Sequence, residues 1–336
     1  MFDKLIAKLK EEKRTIVLPE GTDKRILSAT ERLLKEDLMD VILVGNVEEV
    51  KKAAAEFGFD ISKATIIDPE TYEGMDEMVD KMVELRKGKM TKEECHANLL
   101  KSNYFGTMLV KMGKAYCLLG GATYSTADTI RPALQLVKTK PGSHLVSSVF
   151  ILNRENGPEE LRTICMGDCA VNIDYKDDVD KEGNVTYTAA QKLAEVAIEA
   201  NSCAKIFGID PKIAMLSFST KGSGKGGTVA LSNAATKVVK ETHPEIAIDG
   251  EMQFDAAVSE TVGQLKFPAS PVAGHANTFI FPRIEAGNIG YKIAQRLGGY
   301  AAYGPVLLGL NAPINDLSRG CDADEVYKMA IITAAL

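Results

Sequence analysis

No apolar run in the 336 residues approaches the ~18 to 20 needed to cross a bilayer, so nothing in the chain reads as a membrane span. Positive charge is not in excess either. Lys and Arg number 40 against 46 Asp and Glu, giving a formal net charge of -6 and a pI near 5.5, which argues against a partner such as nucleic acid or an acidic membrane. Histidine is scarce, and the four at 96, 144, 243 and 275 form no His-x-x-x-His or similar pair, so no zinc or other metal site is expected. The six cysteines (Cys95, Cys117, Cys165, Cys169, Cys203, Cys321) lie far apart except for one pair separated by three residues, and no secretory signal precedes them. Reduced thiols in a cytoplasmic protein are the expectation. Internal repeats and low-complexity segments are also missing. Met1 to Lys13 predicts an amphipathic helix with acidic residues, unlike a transit peptide.

What remains is an ordinary globular composition, 45% hydrophobic and 26% charged, in a length that suits two domains. Arg14 to Glu20 reads as a buried strand, followed by a Gly21-Thr22 turn and a helix with apolar residues at Ile26, Leu27, Leu33 and Leu34. Val41 to Val44 is a continuous β-branched strand and Val47 to Phe57 the next helix. Strands alternating with helices of this length predict βαβ units, parallel sheets and an α/β fold. Glu73 to Lys114 reads as helical with breaks near Gly88 and Thr91, Ala115 to Leu119 as a strand, and Ala127 to Val137 as a helix. The polar turn Lys138 to His144 predicts a domain boundary. A second series follows: strands at Leu145 to Leu152, Thr163 to Met166, Lys212 to Phe218, Ile246 to Ile248 and Thr278 to Phe281. Its helices are expected to run to Phe207 from a Thr188/Gln191 capping box, and over Thr228 to Glu241, Asp255 to Leu265 and Ala286 to Leu297.

Three stretches can hold an anion. Gly120-Gly121 ends a strand, and Ser125 and Thr126 open the next helix with Arg131 on its first two turns; simple capping by either hydroxyl explains the same residues. Gly222, Gly224 and Gly227 match Gly-x-Gly-x-x-Gly between a strand and a helix, with Asp249 ending the following strand, so a nicotinamide-dependent dehydrogenase is a rival reading. Against it, Ser219, Thr220 and Lys221 separate the strand from the first glycine. A phosphate-cradling or flexible loop with Ser219, Lys221 and Ser223 as donors accounts for the same pattern. Walker A is excluded because Gly226 follows Lys225. The third stretch, Gly304 to Cys321, places Asp316, Ser318 and Arg319 within four residues on a Pro- and Gly-bounded loop before a helix. Arg319 supplies a planar fork for phosphate or carboxylate oxygens and Ser318 a rotatable donor; a helix-entry turn with a surface ion pair is the plainer alternative. Asp178 to Gly183 resembles the start of an EF-hand loop, but Ala189 stands where a bidentate carboxylate is required, so a solvated hairpin is expected. Cys169 and Cys321 are candidate acyl-accepting nucleophiles with no histidine nearby in sequence to activate them.

The third stretch resembles the C-terminal signature of the phosphate acetyl/butyryl transferase family. Further pieces occur in order along the chain: Ile16 to Gly21, Gly121 to Pro132, Asp168 to Asn172, Ala214 to Thr220, Asp249 to Asp255 and Ala286 to Arg296. The resemblance implies two three-layer α/β domains with largely parallel sheets, of the isocitrate/isopropylmalate dehydrogenase kind. It implies a first domain of residues 1–142 plus 300–336, a second of residues 143–299, and a site in the cleft between them. It also implies reversible transfer of acetyl between acetyl phosphate and CoA, giving acetyl-CoA and phosphate by direct attack of the CoA thiolate. No bound cofactor is expected, CoA being a substrate, and the assembly implied is a homodimer. By the same resemblance Ser318 and Arg319 stand at the reacting acetyl phosphate and Arg86 and Arg131 at CoA. The general base is an aspartate in the family; here that position is Glu325, with Asp324 and Asp316 as the other candidates. Ser125, Thr126, Ser219, Lys221 and Asp316 are further candidates for contact with phosphate. Pro282 to Glu285 departs from the more usual Pro-Asp-Leu-Asn, and the acidic segment Ile173 to Tyr187 is longer than its counterpart. A phosphate butyryl- or propionyltransferase differs only in the room left for the acyl group. A non-catalytic acyl-CoA sensor would bind CoA without turnover.

Overall fold

A computed structural model describes all 336 residues and divides them into two units, residues 1–142 with 310–336 and residues 143–309. The first unit begins with α1 (Phe2–Glu11), β1 (Thr15–Leu18), α2 (Lys24–Lys35), β2 (Asp40–Val44), α3 (Val47–Phe57) and β3 (Thr65–Ile67). Three helices follow, α4 (Met75–Arg86), α5 (Lys92–Leu99) and α6 (Ser102–Lys111), then β4 (Cys117–Gly120) and α7 (Thr126–Pro132). Local chemistry sets these limits. Asn46 caps α3 by accepting from the Glu48 and Glu49 amides, and Thr91 and Glu94 form a capping box that starts α5. The left-handed Lys87 and Gly88 close α4.

The second unit holds β5 (Ser147–Asn153), β6 (Thr163–Gly167), the hairpin β7 (Asp178–Val179) and β8 (Val185–Tyr187), α8 (Ala189–Ile206), β9 (Ile213–Leu216), α9 (Val229–Thr242) and β10 (Ile248–Met252). It ends with α10 (Phe254–Val258), α11 (Glu260–Lys266), β11 (Thr278–Ile280), α12 (Ile284–Arg296) and β12 (Ala301–Leu308). The chain then returns to the first unit as β13 (Ile314–Asp316) and α13 (Ala323–Ala335).

The first sheet has the order β13-β4-β1-β2-β3 and every pairing in it is parallel. Its central strands β1, β4 and most of β2 are apolar and buried, as expected where both faces are covered. Val17, Ile42, Leu118 and Ile314 enter one core with Met78, Met82, Phe105 and Met108 from α4 and α6. Elsewhere in the unit α1, α2 and α13 pack together and α13 lies on β4. Gly106 permits the approach of α6, since a Cβ there would sit 2.9 Å from a Leu118 methyl and 3.0 Å from a Val17 methyl. The second sheet has the order β10-β9-β11-β6-β5-β12, parallel from β10 to β6, with β5 and β12 antiparallel. The fold is therefore α/β with largely parallel sheets.

Three expectations are corrected. Residues 300–309, assigned from sequence to the first domain, lie in the second unit because β12 pairs with β5 from Ala301 to Leu308. The helix expected over 127–137 changes character at Pro132, which lacks an N–H; Ala133–Val137 is a π-helical turn closed by the Lys138 amide on the Ala133 carbonyl. The helix expected over 255–265 is split at Ser259, whose extended backbone caps α11.

β13 ends on Asp316, 1% exposed, with Oδ2 accepting from Thr126 Oγ1 and Oδ1 from Thr129 Oγ1, both at 2.6 Å. This ties α7 to the end of the sheet. Burial pushes the carboxyl up to about 6 against the hydrogen bonds of the two hydroxyls. Between the ordinary aspartate range and pH 6 the folded chain therefore binds a proton that the unfolded chain has released, and stability falls as pH rises through that window. An Asp316→Asn variant is neutral throughout. Its stability relative to wild type is expected to rise by about 2 to 3 kcal/mol between pH 4 and 6.5, at ~1.4 kcal/mol per pH unit, and then level off. Urea unfolding of both proteins across this range checks it; parallel profiles would show that Asp316 does not titrate there.

Candidate functional site

In a parallel sheet the loops leaving the carboxyl ends of neighbouring strands lie side by side, the usual place for a site in an α/β unit. In the first unit β13, β4 and β1 are adjacent, so the loops after Leu18, Gly120 and Asp316 meet. Three consecutive amides of the loop after β4 are gathered by one side chain. Glu20 Oε2 accepts from the Gly121 and Ala122 amides at 3.1 and 3.2 Å, and Oε1 from the Thr123 amide and hydroxyl at 2.5 and 2.6 Å. The Leu317 amide closes onto the Gly120 carbonyl at 2.7 Å. Gly121 is required at this crossing. Its φ is +101°, and a Cβ would sit 2.3 Å from Asp316 Oδ1 and 2.9 Å from the Leu317 backbone.

Around this platform stand most of the residues singled out from the sequence. Ser318 and Arg319 lie on the exposed turn between β13 and α13. The Gly320 amide donates to Ser318 Oγ at 3.2 Å, which leaves the hydroxyl proton for a ligand. The Arg319 guanidinium is exposed and is in no ion pair, while its carbonyl accepts from Arg25. Ser125 is a cap after all, donating to Asp128 Oδ2 at 2.7 Å, and Thr126 is committed to Asp316. Arg131 is largely exposed, its nearest carboxylate oxygen being Asp128 Oδ1 at 3.9 Å. Arg86 ends α4 with its Nε buried and without a partner. Burial raises the Tyr104 phenol, and the charges of Arg131 and Arg86 both oppose that rise, so the two guanidiniums lie within electrostatic reach of one ring. Arginine donors left over around a partly buried position suit an anion.

The three carboxylates considered as a base differ sharply. Asp324 is held by Lys328 at 2.6 Å and Arg32 at 3.0 Å, which lowers its pKa and makes it a poor proton acceptor. Asp316 has the raised pKa but is buried, with each oxygen taken by a threonine. Glu325 is half-buried at the start of α13. One of its oxygens accepts from the Asp322 amide in a capping box, and the other is free.

Ser219 and Lys221 belong to the second unit, and the structure does not bring them together as a pair of donors. Ser219 is fully buried, donating to Glu251 Oε1 and accepting from the Gly224 amide, both at 2.9 Å; its role is to close the glycine loop. Lys221 is exposed, with Nζ 4.3 Å from the Phe267 ring centroid, and lines a groove of about 850 Å³ with Lys225, Lys237 and Lys240. Twelve residues separate β9 from α9, a longer connection than the tight first turn of a dinucleotide fold. Cys169 and Cys321 are buried thiols raised by that burial, Cys321 to about 11, and neither is poised as a thiolate. Sequence reasoning passed over Glu20 and Arg25. The acid directly after a strand and before Gly21 was the available signal for the first, and none marked the second.

The sequence profile of the phosphate acetyl/butaryl transferase family matches residues 1–334. The chain is 50% identical over 320 residues to the phosphate acetyltransferase of Bacillus subtilis, covering 95% of this chain and 94% of that one. The crystal structure of a phosphotransacetylase from Streptococcus pyogenes superposes with a TM-score of 0.91 at 50% identity, covering 99% and 98% of the two chains. A phosphotransacetylase from Staphylococcus aureus does so with a TM-score of 0.88 at 46% identity, covering 99% and 97%. The chain belongs to the phosphate acetyl/butaryl transferase family.

Proposed function

We propose that the chain is an acyltransferase that exchanges acetyl between acetyl phosphate and CoA, as the names of its relatives describe. The observation that carries this reading is the Ser318-Arg319 turn, where a guanidinium with no protein partner stands beside a hydroxyl whose proton is free. Acetyl phosphate needs that pair. Its phosphate carries charge throughout, and its carbonyl oxygen gains charge as sulfur attacks. In the proposed step Glu325 removes the thiol proton of CoA, and the sulfur forms a bond to the acetyl carbon. The bond from that carbon to the phosphate oxygen breaks, and phosphate leaves on Arg319. Arg86 and Arg131, on elements outside the turn, are assigned to the distant phosphates of CoA. Thr126, through its backbone amide because its hydroxyl proton goes to Asp316, and Lys221, in its lysine-lined groove, are retained as candidate phosphate contacts; Asp316 itself acts only by holding Thr126.

An acyl phosphate is already activated, so the reaction is assigned to side chains alone, with no metal and no bound cofactor. CoA as substrate and six free cysteines suit the cytoplasm. The family resemblance suggests a homodimer, which light scattering of the purified protein tests. A butyryl- or propionyl-transferring enzyme would use the same residues and differ only in acyl room.

Thioester absorbance in mixtures of the protein with CoA and acetyl, propionyl or butyryl phosphate tests the activity and its preference. Arg319→Ala is expected to lower kcat by about 10² to 10³, the usual cost of one preorganised donor. Arg86→Ala and Arg131→Ala are expected mainly to raise the KM for CoA. A near-normal rate in the first, or an unchanged CoA dependence in the others, would remove those residues from the site. Glu325→Gln keeps an acceptor for the Asp322 amide but loses the base, so kcat is expected to fall at least ~10²-fold with the melting temperature almost unmoved. If Glu325→Gln is active and Glu325→Ala is merely less stable, Glu325 is only a cap.

A further inference from the structure

Arg25, at the start of α2, has all five guanidinium N–H groups committed. Nε and Nη2 take the two oxygens of Asp23 at 3.0 and 2.8 Å. The second Nη2 proton goes to the Ala122 carbonyl at 2.8 Å, and Nη1 donates to the carbonyls of Arg319 at 2.8 Å and Cys321 at 3.1 Å. Asp23 is itself fixed, its amide donating to the Glu20 carbonyl and its carboxylate capping α2. Three of the five acceptors are therefore backbone carbonyls of the two loops on which the proposed chemistry depends.

We infer that Arg25 is a positioning residue that orients Ser318 and Glu325 through the peptide units flanking Gly320 and Cys321. This rests on the reading of the Ser318-Arg319 turn as the acyl-transfer site. In a trans peptide the carbonyl and the following amide point in opposite directions. Drawing the Arg319 carbonyl to Arg25 turns the Gly320 amide outward, where it holds Ser318 Oγ as an acceptor and leaves the hydroxyl proton to the ligand. Drawing the Cys321 carbonyl to Arg25 turns the Asp322 amide outward, where it holds one oxygen of Glu325 and leaves the other free. The Ala122 carbonyl does the same for the Thr123 amide, which meets Glu20. One planar fork thus sets the hydroxyl and the carboxylate on one turn and fixes the neighbouring loop. A lysine has three rotatable donors and cannot span two carboxylate oxygens and three carbonyls.

The test uses the full-length protein with Arg25→Ala and Arg25→Lys, reading kcat, the KM for CoA, and hydrogen exchange of the peptides covering 120–126 and 318–325. Expected are a fall in kcat of about 10², the scale of a misplaced catalytic group, a KM for CoA within about threefold of wild type, and no recovery with lysine. Exchange of the Gly320 and Asp322 amides is expected to quicken at least about tenfold in both variants, and ethylguanidinium is expected to restore at least a tenth of the lost turnover in Arg25→Ala. Arg25→Lys keeps the charge and the stem, so it stands in if the alanine variant does not fold. Wild-type turnover together with at least half the kcat in a folded variant and unchanged exchange overturns the inference while leaving the acyl-transfer reading intact. A wild-type protein without turnover overturns that reading instead, and exchange in the 318–325 peptide then decides alone whether Arg25 orders the turn.

Discussion

Where parallel strands end together, their loops bring backbone amides inward with no ladder to receive them, and each buried amide left unpaired costs about 1 to 3 kcal/mol. The first unit answers this with one carboxylate. Glu20 collects three consecutive amides and a hydroxyl from the loop after β4, and the rest of the site is built on the position that loop then takes. α7 starts where the loop ends, so Thr126 and Thr129 face Asp316; Gly121 can then lie against Leu317, and Arg25 can bridge Ala122 to the turn before α13. A neutral glutamine at position 20 would keep two acceptor lone pairs but present two donors where only amides and a hydroxyl wait.

The second unit repeats the device with different residues. Asp168, after β6, accepts from the Ser148 amide and hydroxyl and from the Val171 and Asn172 amides. Glu251, on β10, takes the Gly222 amide, the Ser219 hydroxyl and the Asn233 side chain. Burial raises Asp168, whereas Glu251 is lowered despite its burial because amides and side chains donate to it. The glycine loop at 222 is therefore anchored on an acid from inside the protein. That gives its glycines a structural reason to be there, and it leaves the exposed lysines of the same loop as the only cationic groups it offers to a ligand.

How far this was legible in the sequence depends on the range of the interaction. Strands such as Asp40–Val44 and capping boxes such as Thr188 with Gln191 are written within a few residues, and periodicity finds them. Pro132 was visible too, but its consequence, a π-helical turn in place of a continued helix, depends on what the following turn packs against. The assignment of 300–309 failed for a related reason: an apolar run says strand, and only the pairing with β5 says which sheet. At the site the Ser318-Arg319 turn was readable because its residue types are chemically distinctive. Arg319 stood out by its neighbours Asp316 and Ser318, whereas nothing near Arg25 in sequence tells that its guanidinium is used up on the carbonyls of Ala122, Arg319 and Cys321.

The division of labour between those two arginines also resolves an apparent conflict in the charge. Proposed substrates that carry several negative charges meet a chain with a net charge of -6, on a platform whose central side chains are Glu20, Asp23 and Asp316. The acids do not oppose binding, because each is turned inward and occupied: Glu20 by amides, Asp23 by Arg25, and Asp316 by two hydroxyls in surroundings that favour its proton. The cations with donors to spare are Arg319 on the turn before α13, Arg131 on α7 and the half-buried Arg86 at the end of α4. At physiological ionic strength a charge is screened beyond about 8 Å, so an incoming phosphate responds to those nearest groups and not to the chain as a whole. Occupying Glu20, Asp23 and Asp316 from within fixes the loops while leaving the Arg319 guanidinium uncommitted, so the proposed anion site does not depend on an excess of positive charge in the chain.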